Sequence, residues 1–398
     1  MSSNWRHNAD GLEDEKQREA QLRKVPLFKL NFDYREREAA SAVIDDGWLT
    51  MGERIISFER EFSRFLGGGV ECTAVSNGTA ALHMALLALG IGSGDEVIIP
   101  ALTFVADANV VRMVGAKPIL ADCGSLDDWN ISVTDIKSKV TKHTRAVLVV
   151  HFAGYPCDMP AIASLCQEMG LSLIEDVAHA PGAAVADRPC GTWGDVGCFS
   201  FFSNKNLSIG EGGMVVTGAS EVHQRLRYLR SHGMTSSTLD RHNGRARTYD
   251  VAAPSLNYRM DEIRAAIGLV QLNKLPAGNI RRGELTARYR KNIFPSGISM
   301  PFSNQWSHTV SAYHILPVLL PEKTNRDLVI ETLKAEGVQS SVHYPPFWSF
   351  SGYDGWFSAQ DAPNTAEICK RELTLPLFPT MADEEVDYVT ASLLEALG

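Results

Sequence analysis

The chain has 398 residues, 44% of them apolar and 21% charged, with 32 Gly and 18 Pro. This is the composition of a globular protein, and it excludes collagen-like, disordered and coiled-coil classes. The 38 basic against 47 acidic side chains leave a net charge of −9. With no Lys/Arg tract, that balance repels phosphodiester backbones and anionic lipid, so neither nucleic acid nor membrane is expected as the main partner.

Residues 1–25 are polar and charged, without apolar periodicity or the apolar segment of a secretory signal, so a leader outside the fold and a cytoplasmic location are expected. The longest apolar stretch, Ala146 to Val150 running into Phe152, is far short of the roughly 20 residues a bilayer requires. Seven cysteines (Cys72, Cys123, Cys157, Cys166, Cys190, Cys198, Cys369) form no CxxC pair, which points to reduced thiols rather than a disulfide framework or a zinc site.

From Val25 to Thr217, strand-length apolar runs alternate with helical patterns: CTAVS (72–76), EVIIP (96–100), KPILAD (117–122), AVLVVHF (146–152), LSLIED (171–176), VGCFSF (196–201) and GGMVV (212–216). Continuous apolar strands separated by helices predict a mainly parallel sheet buried on both faces. Ligands gather at the carboxyl ends of such strands, where Ser76, Pro100, Asp122, His151, Asp176 and Ser200 fall. The pattern at 260–275 predicts an amphipathic helix followed by the basic stretch RRGELTARYRK. A leader at 1–25, a large unit at 26–275 and a small α+β unit at 276–398 are expected. The small unit is read as strand-like AYHILPVLL (312–320), a helix at 326–337, strand-like VQSSVHY (338–344) and a terminal helix.

SNGTAALHMALL begins where a strand ends, turns at a Gly and runs into a helix of small residues. Gly78 and Thr79 would there present free N–H groups to a phosphate monoester, or simply belong to a capped strand–helix junction. Asp176 ends a buried strand, so its carboxylate either caps a helix or faces a cation. Lys205, in FSFFSNKNLSIGEGG (199–213), sits in a turn between two strands that feed the same sheet edge. A lysine is ordinarily solvated, but a desolvated amine in that place forms Schiff bases well.

The order SNGTAALH, PALTF, HFAGYP, EDVAHAPGA, FSFFSNKNLSIGEGG, NYRMDEIRAAIGLVQL, VHYPP and LPLFP resembles the DegT/DnrJ/EryC1/StrS family over about residues 27–398. The resemblance implies an α/β fold-type I enzyme dependent on pyridoxal 5'-phosphate, aspartate aminotransferase-like, working as a homodimer with shared active sites. It makes Lys205 the lysine that holds the cofactor and shuttles a proton, and Asp176 the partner of the pyridinium nitrogen. Phe104 would stack on the ring, and His179 would lie near the phenolic oxygen. Gly78, Thr79 and Ser200 would bind the phosphate, with Asn257 reaching it from the second copy. For substrate it implies Arg259 and His343, with His151 packing behind the site and Trp48 and Thr50 near the mouth.

Two departures stand out. Many nucleotide-sugar members read HYxPLH, whereas this chain places Trp348 where the second His is common, offering an aromatic face in place of a charge. The polar stretch 231–250, with Arg241, Arg245 and Arg247, is read as a loop over the active site whose arginines meet a diphosphate, or as a solvated loop.

The expected reaction moves an amino group, from glutamate, to a keto-sugar, most readily a nucleotide-linked one. A keto-cyclitol or other non-nucleotide ketone is the alternative acceptor. A cofactor-dependent sugar dehydratase is the alternative chemistry, disfavoured because those relatives carry His in place of Lys205. A non-catalytic regulator would have lost Lys205 or Asp176, and a nicotinamide dehydrogenase would show a GxGxxG after the first strand, which this chain lacks.

Overall fold

The structure, a computed structural model, describes residues 24–236, 244, 248–294, 296–303 and 308–398. Residues 1–23, on which the expected leader falls, and Arg241, Arg245 and Arg247 lie outside them.

All seven apolar runs form strands of one sheet. These are β1 (Glu71–Val75), β2 (Glu96–Pro100), β3 (Lys117–Ala121), β4 (Thr144–Val150) and β5 (Ser172–Asp176). After the short strands β6 (Ala184–Val185) and β7 (Arg188–Pro189) come β8 (Val196–Ser200) and β9 (Gly213–Thr217). The order is β1-β9-β8-β5-β4-β2-β3. The β2–β3, β2–β4, β4–β5 and β5–β8 pairs are parallel, and β9 runs against both β1 and β8. Side chains alternate between the faces: Leu148 and Ile174 pack with Leu82 and Leu86, whereas Val147, Val149 and Leu173 pack with Ile162 and Leu165. Both faces are covered, so the strands carry no polar alternation.

The helix Glu262–Ile293 is 32 residues long and unbroken, with Pro276 inside it. Its start is fixed twice: Asp261 accepts from Arg264 N at 2.9 Å, and Glu262 accepts from the backbone N–H groups of Gly52, Arg54 and Ile55 at 2.8–3.0 Å. The boundary expected at 275/276 falls within this helix. Ala265, Leu272 and Leu275 join the core under the main sheet, while Leu285, Tyr289 and Ile293 join a second core with Leu316, Val318, Leu333, Leu373 and Val386.

After β10 (Thr309–Val310), that second core is built on β11 (Leu316–Leu319) paired antiparallel with β12 (Glu372–Leu375), and on the helices Arg326–Ala335 and Asp383–Leu397. The strand expected over 338–344 does not form. The segment divides its bonds, bridging Val25 through Val338 and β12 through Ser341. The edge of β11 belongs instead to β12, which follows the helix Pro363–Arg371; the sequence reading had neither of these two elements. Among the described residues no helix is long and apolar enough to cross a membrane.

Candidate active site

The sheet register brings the site together. Asp176 lies opposite Val150 on β4 and Cys198 on β8, and the turn between β8 and β9 carries Lys205 to the same edge. That turn is pinned from three sides. Lys205 N donates to Phe202 O at 2.9 Å, Leu207 and Ile209 are buried in the core, and Asn206 Nδ2 donates to Asn279 Oδ1 and Ala312 O at 2.8 and 2.7 Å. Burial pushes the Lys205 amine down to about 8, and the charge of Asp176 opposes that fall only in part. Burial also raises the Asp176 carboxyl, against an Ala178 N–H donated at 2.8 Å and the positive charge of Lys205. An amine with a lowered pKa beside a half-buried carboxylate is what a Schiff-base lysine requires.

Phe104 stands at the end of β2 and is 56% exposed, an unusual degree for a large aromatic at a sheet edge, and its ring centroid lies 5.7 Å from that of Tyr344. Asn77 Oδ1 caps the helix Gly78–Ala88 by accepting from Ala80 N at 2.8 Å, which places Gly78 and Thr79 in its first turn. A Cβ on Gly78 would lie 2.7 Å from Ser200 Cβ, so only glycine allows the helix end and the Ser200 hydroxyl to meet. Helix N–H groups and a hydroxyl at one point make an anion cradle.

His179 is buried, with Nδ1 accepting from Ala153 N at 3.3 Å and Nε2 lying 3.0 Å from the Tyr344 hydroxyl. Since Nδ1 accepts, Nε2 carries the proton and donates to Tyr344, whose own O–H is left to point elsewhere. Burial, reinforced by Lys205, holds His179 well below its ordinary value and therefore neutral. His343 is likewise pushed down to about 4 by burial, with Nδ1 2.9 Å from Thr374 Oγ1. Tyr344 was not singled out in the sequence, although the quoted VHYPP motif contains it.

The remaining predicted residues fall elsewhere. Arg259 Nη1 donates to Ser231 Oγ at 2.7 Å, and exposed Asn257 accepts from Arg259 N at 3.1 Å, both beside the end of β1. Trp48 donates to Met51 O at 3.2 Å, and Thr50 is exposed. Trp348 corrects an expectation: it is only 9% exposed and packs with Phe347 in the core, so its ring presents no open face for stacking. His151 donates from Nε2 to Glu175 and accepts Cys157 N on Nδ1, both at 3.1 Å, as a packing residue does. Asp122 accepts from Asn364 N and Thr365 N, tying the helix Pro363–Arg371 to the sheet.

The residues present fit pyridoxal phosphate. The buried Asn204 Oδ1 and Ser208 Oγ, on the turn that carries Lys205, lack hydrogen-bond partners, and the Gly78–Ser200 cradle suits a phosphate. An amine, a half-buried carboxylate, an open aromatic and an anion cradle at the carboxyl edge of a doubly covered sheet define a fold-type I pyridoxal phosphate enzyme. The DegT/DnrJ/EryC1/StrS aminotransferase family matches residues 31–394, and the chain belongs to that family; it is a pyridoxal phosphate-dependent aminotransferase.

Solved structures agree. The aminotransferase TlmJ from Streptoalloteichus hindustanus is 33% identical, with a TM-score of 0.84 over 94% of this chain and 97% of TlmJ. DesV from S. venezuelae, solved with a ketimine intermediate, is 31% identical, with a TM-score of 0.86 over 94% of this chain and 98% of DesV. Spr1654 from Streptococcus pneumoniae, assigned as a sugar aminotransferase and solved in PMP and PLP forms, is 27% identical. Its PMP form gives a TM-score of 0.86 over 92% of this chain and 97% of that one.

Proposed function

We propose that the enzyme transfers the amino group of glutamate to a keto-sugar, most readily one linked to a nucleotide, and that it works in the cytoplasm as a homodimer with shared sites. The observation that carries the reading is the juxtaposition of Lys205 and Asp176 at the carboxyl edge of the sheet, the edge at which Phe104 stands exposed. Pyridoxal phosphate, when bound, supplies the carbonyl that takes up the amino group and a ring that withdraws electrons. Lys205 Nζ would accept the proton released at the donor carbon and hold it for the return step, a task suited to an amine with a pKa near 8. Asp176 holds the proton of the pyridine nitrogen by its charge. Phe104 would cover one ring face and exclude water, and His179, kept neutral and hydrogen-bonded to Tyr344, would lie near the cofactor's phenolic oxygen. Gly78, Thr79 and Ser200 hold the phosphate in register.

Exposed Tyr249, Val251 and Leu256, in the stretch leading to Asn257 and Arg259, support a second copy docking here, with Asn257 reaching the phosphate and Arg259 the substrate of the neighbouring site. His343 and the arginines Arg245 and Arg247 are assigned to the acceptor. A keto-cyclitol is the second acceptor class.

The test is to convert the purified enzyme with glutamate, following loss of the cofactor's visible band and formation of 2-oxoglutarate. The aminated enzyme is then challenged with nucleotide-linked keto-sugars and with keto-cyclitols. Recovery of the band with the former alone supports the reading. Recovery with cyclitols alone moves the acceptor, and no response to glutamate removes the donor.

A further inference from the structure

Immediately beside Asp176 lies a second carboxyl that the proposed reaction does not use. Asp107, in the first turn of the helix Ala106–Met113, is 1% exposed. Its Oδ2 accepts a short hydrogen bond from Thr103 Oγ1, and its Oδ1 is buried with no donor to meet it. The Asp176 carboxyl lies within side-chain hydrogen-bond reach of Asp107. Two carboxylates within hydrogen-bond reach of each other, one buried and one half-buried, do not both ionise, so the pair retains a proton.

The surroundings decide which oxygen carries it. Asp176 receives the Ala178 N–H and the positive field of Lys205, with His151 behind it. Asp107 receives only the Thr103 hydroxyl. Of the other titratable groups near the pair, Cys198 and Tyr344 are both held neutral by burial and supply no cation. Desolvation and the neighbouring charge of Asp176 both raise Asp107 well above the usual carboxylate range.

We propose that Asp107 is kept as the neutral acid and donates its O–H to Asp176, as a positioning residue that fixes the carboxylate facing the cofactor's ring nitrogen. The proposal rests on the role given to Asp176 above. Asp107 turns that carboxylate, supplies its second donor and moderates its basicity, so the proton on the ring nitrogen is shared rather than captured. Asn at this position keeps both halves of the arrangement, its carbonyl accepting from Thr103 and its amide donating to Asp176. Ala keeps neither.

The experiment is isotope-edited infrared spectroscopy of the cofactor-free enzyme, with 13C-labelled aspartate, near neutral pH. A protonated-carboxyl band is expected in the wild type and should vanish in Asp107→Asn. Should that variant not fold, Asp176→Asn, which changes the acceptor of the same O–H, must shift the band. In the cofactor-loaded enzyme Asp107→Ala is expected to lose roughly tenfold in kcat with little change in KM, and Asp107→Asn to recover most of that loss. A wild type without the band, a band unmoved by both substitutions, or an Asn variant no better than Ala overturns the proposal. Because the infrared measurement needs neither cofactor nor turnover, failure of Asp176's own role would show separately, as near-normal transamination by Asp176→Asn.

Discussion

Two neighbouring carboxylates at the end of β5 face opposite sides of the sheet and have opposite fates. Glu175 turns into the packed side, where Gly191 N, Trp193 N and Gly194 N donate at 2.7–2.8 Å and His151 Nε2 at 3.1 Å. Asp176 turns toward the open edge, where one backbone N–H, the half-buried Lys205 amine and a second carboxyl meet it. The first is saturated with donors and can do nothing further. The second is left with unmet electrostatic demand, and a bound cation such as a pyridinium nitrogen satisfies it. Incomplete satisfaction, together with its half-buried position against the full burial of Glu175, separates the functional carboxylate from the structural one.

Substitutions can break that contrast, and the largest effect belongs to the open side. Lys205→Ala should lose the covalently held visible band and about a thousandfold or more in turnover, checked by borohydride reduction and mass spectrometry. A reduced adduct on another lysine would refute the assignment. Asp176→Asn should keep the cofactor yet lose about a hundredfold in kcat, since an amide holds the ring-nitrogen proton poorly. On the closed side Glu175→Gln should do the reverse. Urea unfolding is expected to show a loss of about 3 kcal/mol, while the folded fraction turns over within about twofold of wild type.

The pH dependence sharpens the same comparison. With the Lys205 amine at about 8, attachment of the aldehyde cofactor to the empty enzyme should quicken about tenfold per pH unit below that value and level off above it. A rise continuing toward pH 10 would mark an ordinary solvated lysine. The smallest effect is geometric. Gly78→Ala should weaken cofactor binding severalfold through its clash with Ser200, while Gly92→Ala, whose Cβ would meet only Val114 O at 3.6 Å, should leave it unchanged. Equal affinities for the two variants would dissolve the cradle.

The contributions that sit on strand ends were legible in the sequence. Ser200, Asp176 and the Lys205 turn converge because a buried parallel sheet delivers its carboxyl ends to one edge, and seven apolar runs announced that sheet. What depends on contacts between loops was not legible. Asp107 reads as an unremarkable acid in a helix's first turn, and its contact with Asp176 arises only because β2 and β5 both flank β4. Tyr344 acquires a role only when the small unit brings it to His179. Trp348 was visible as a departure from a pattern, but its neighbours Phe347 and Tyr353 form an aromatic cluster that draws it inward. The segment 338–344 has strand composition, yet Val25, far upstream in the chain, competes for its bonds.

The long helix has a mechanical consequence. Less than one turn apart, Asn279 grips the lysine-bearing turn through Asn206, and Arg282 grips the small unit through the carbonyls of His314 and Leu377 at 3.0 and 2.9 Å. The two attachments share one stiff shaft of about 48 Å, so the small unit cannot slide along it without straining the seat of Lys205. Pro276, which cannot return a hydrogen bond to Leu272, lies about one turn before Asn279 and nearly two before Arg282, and is the point at which the shaft yields most easily.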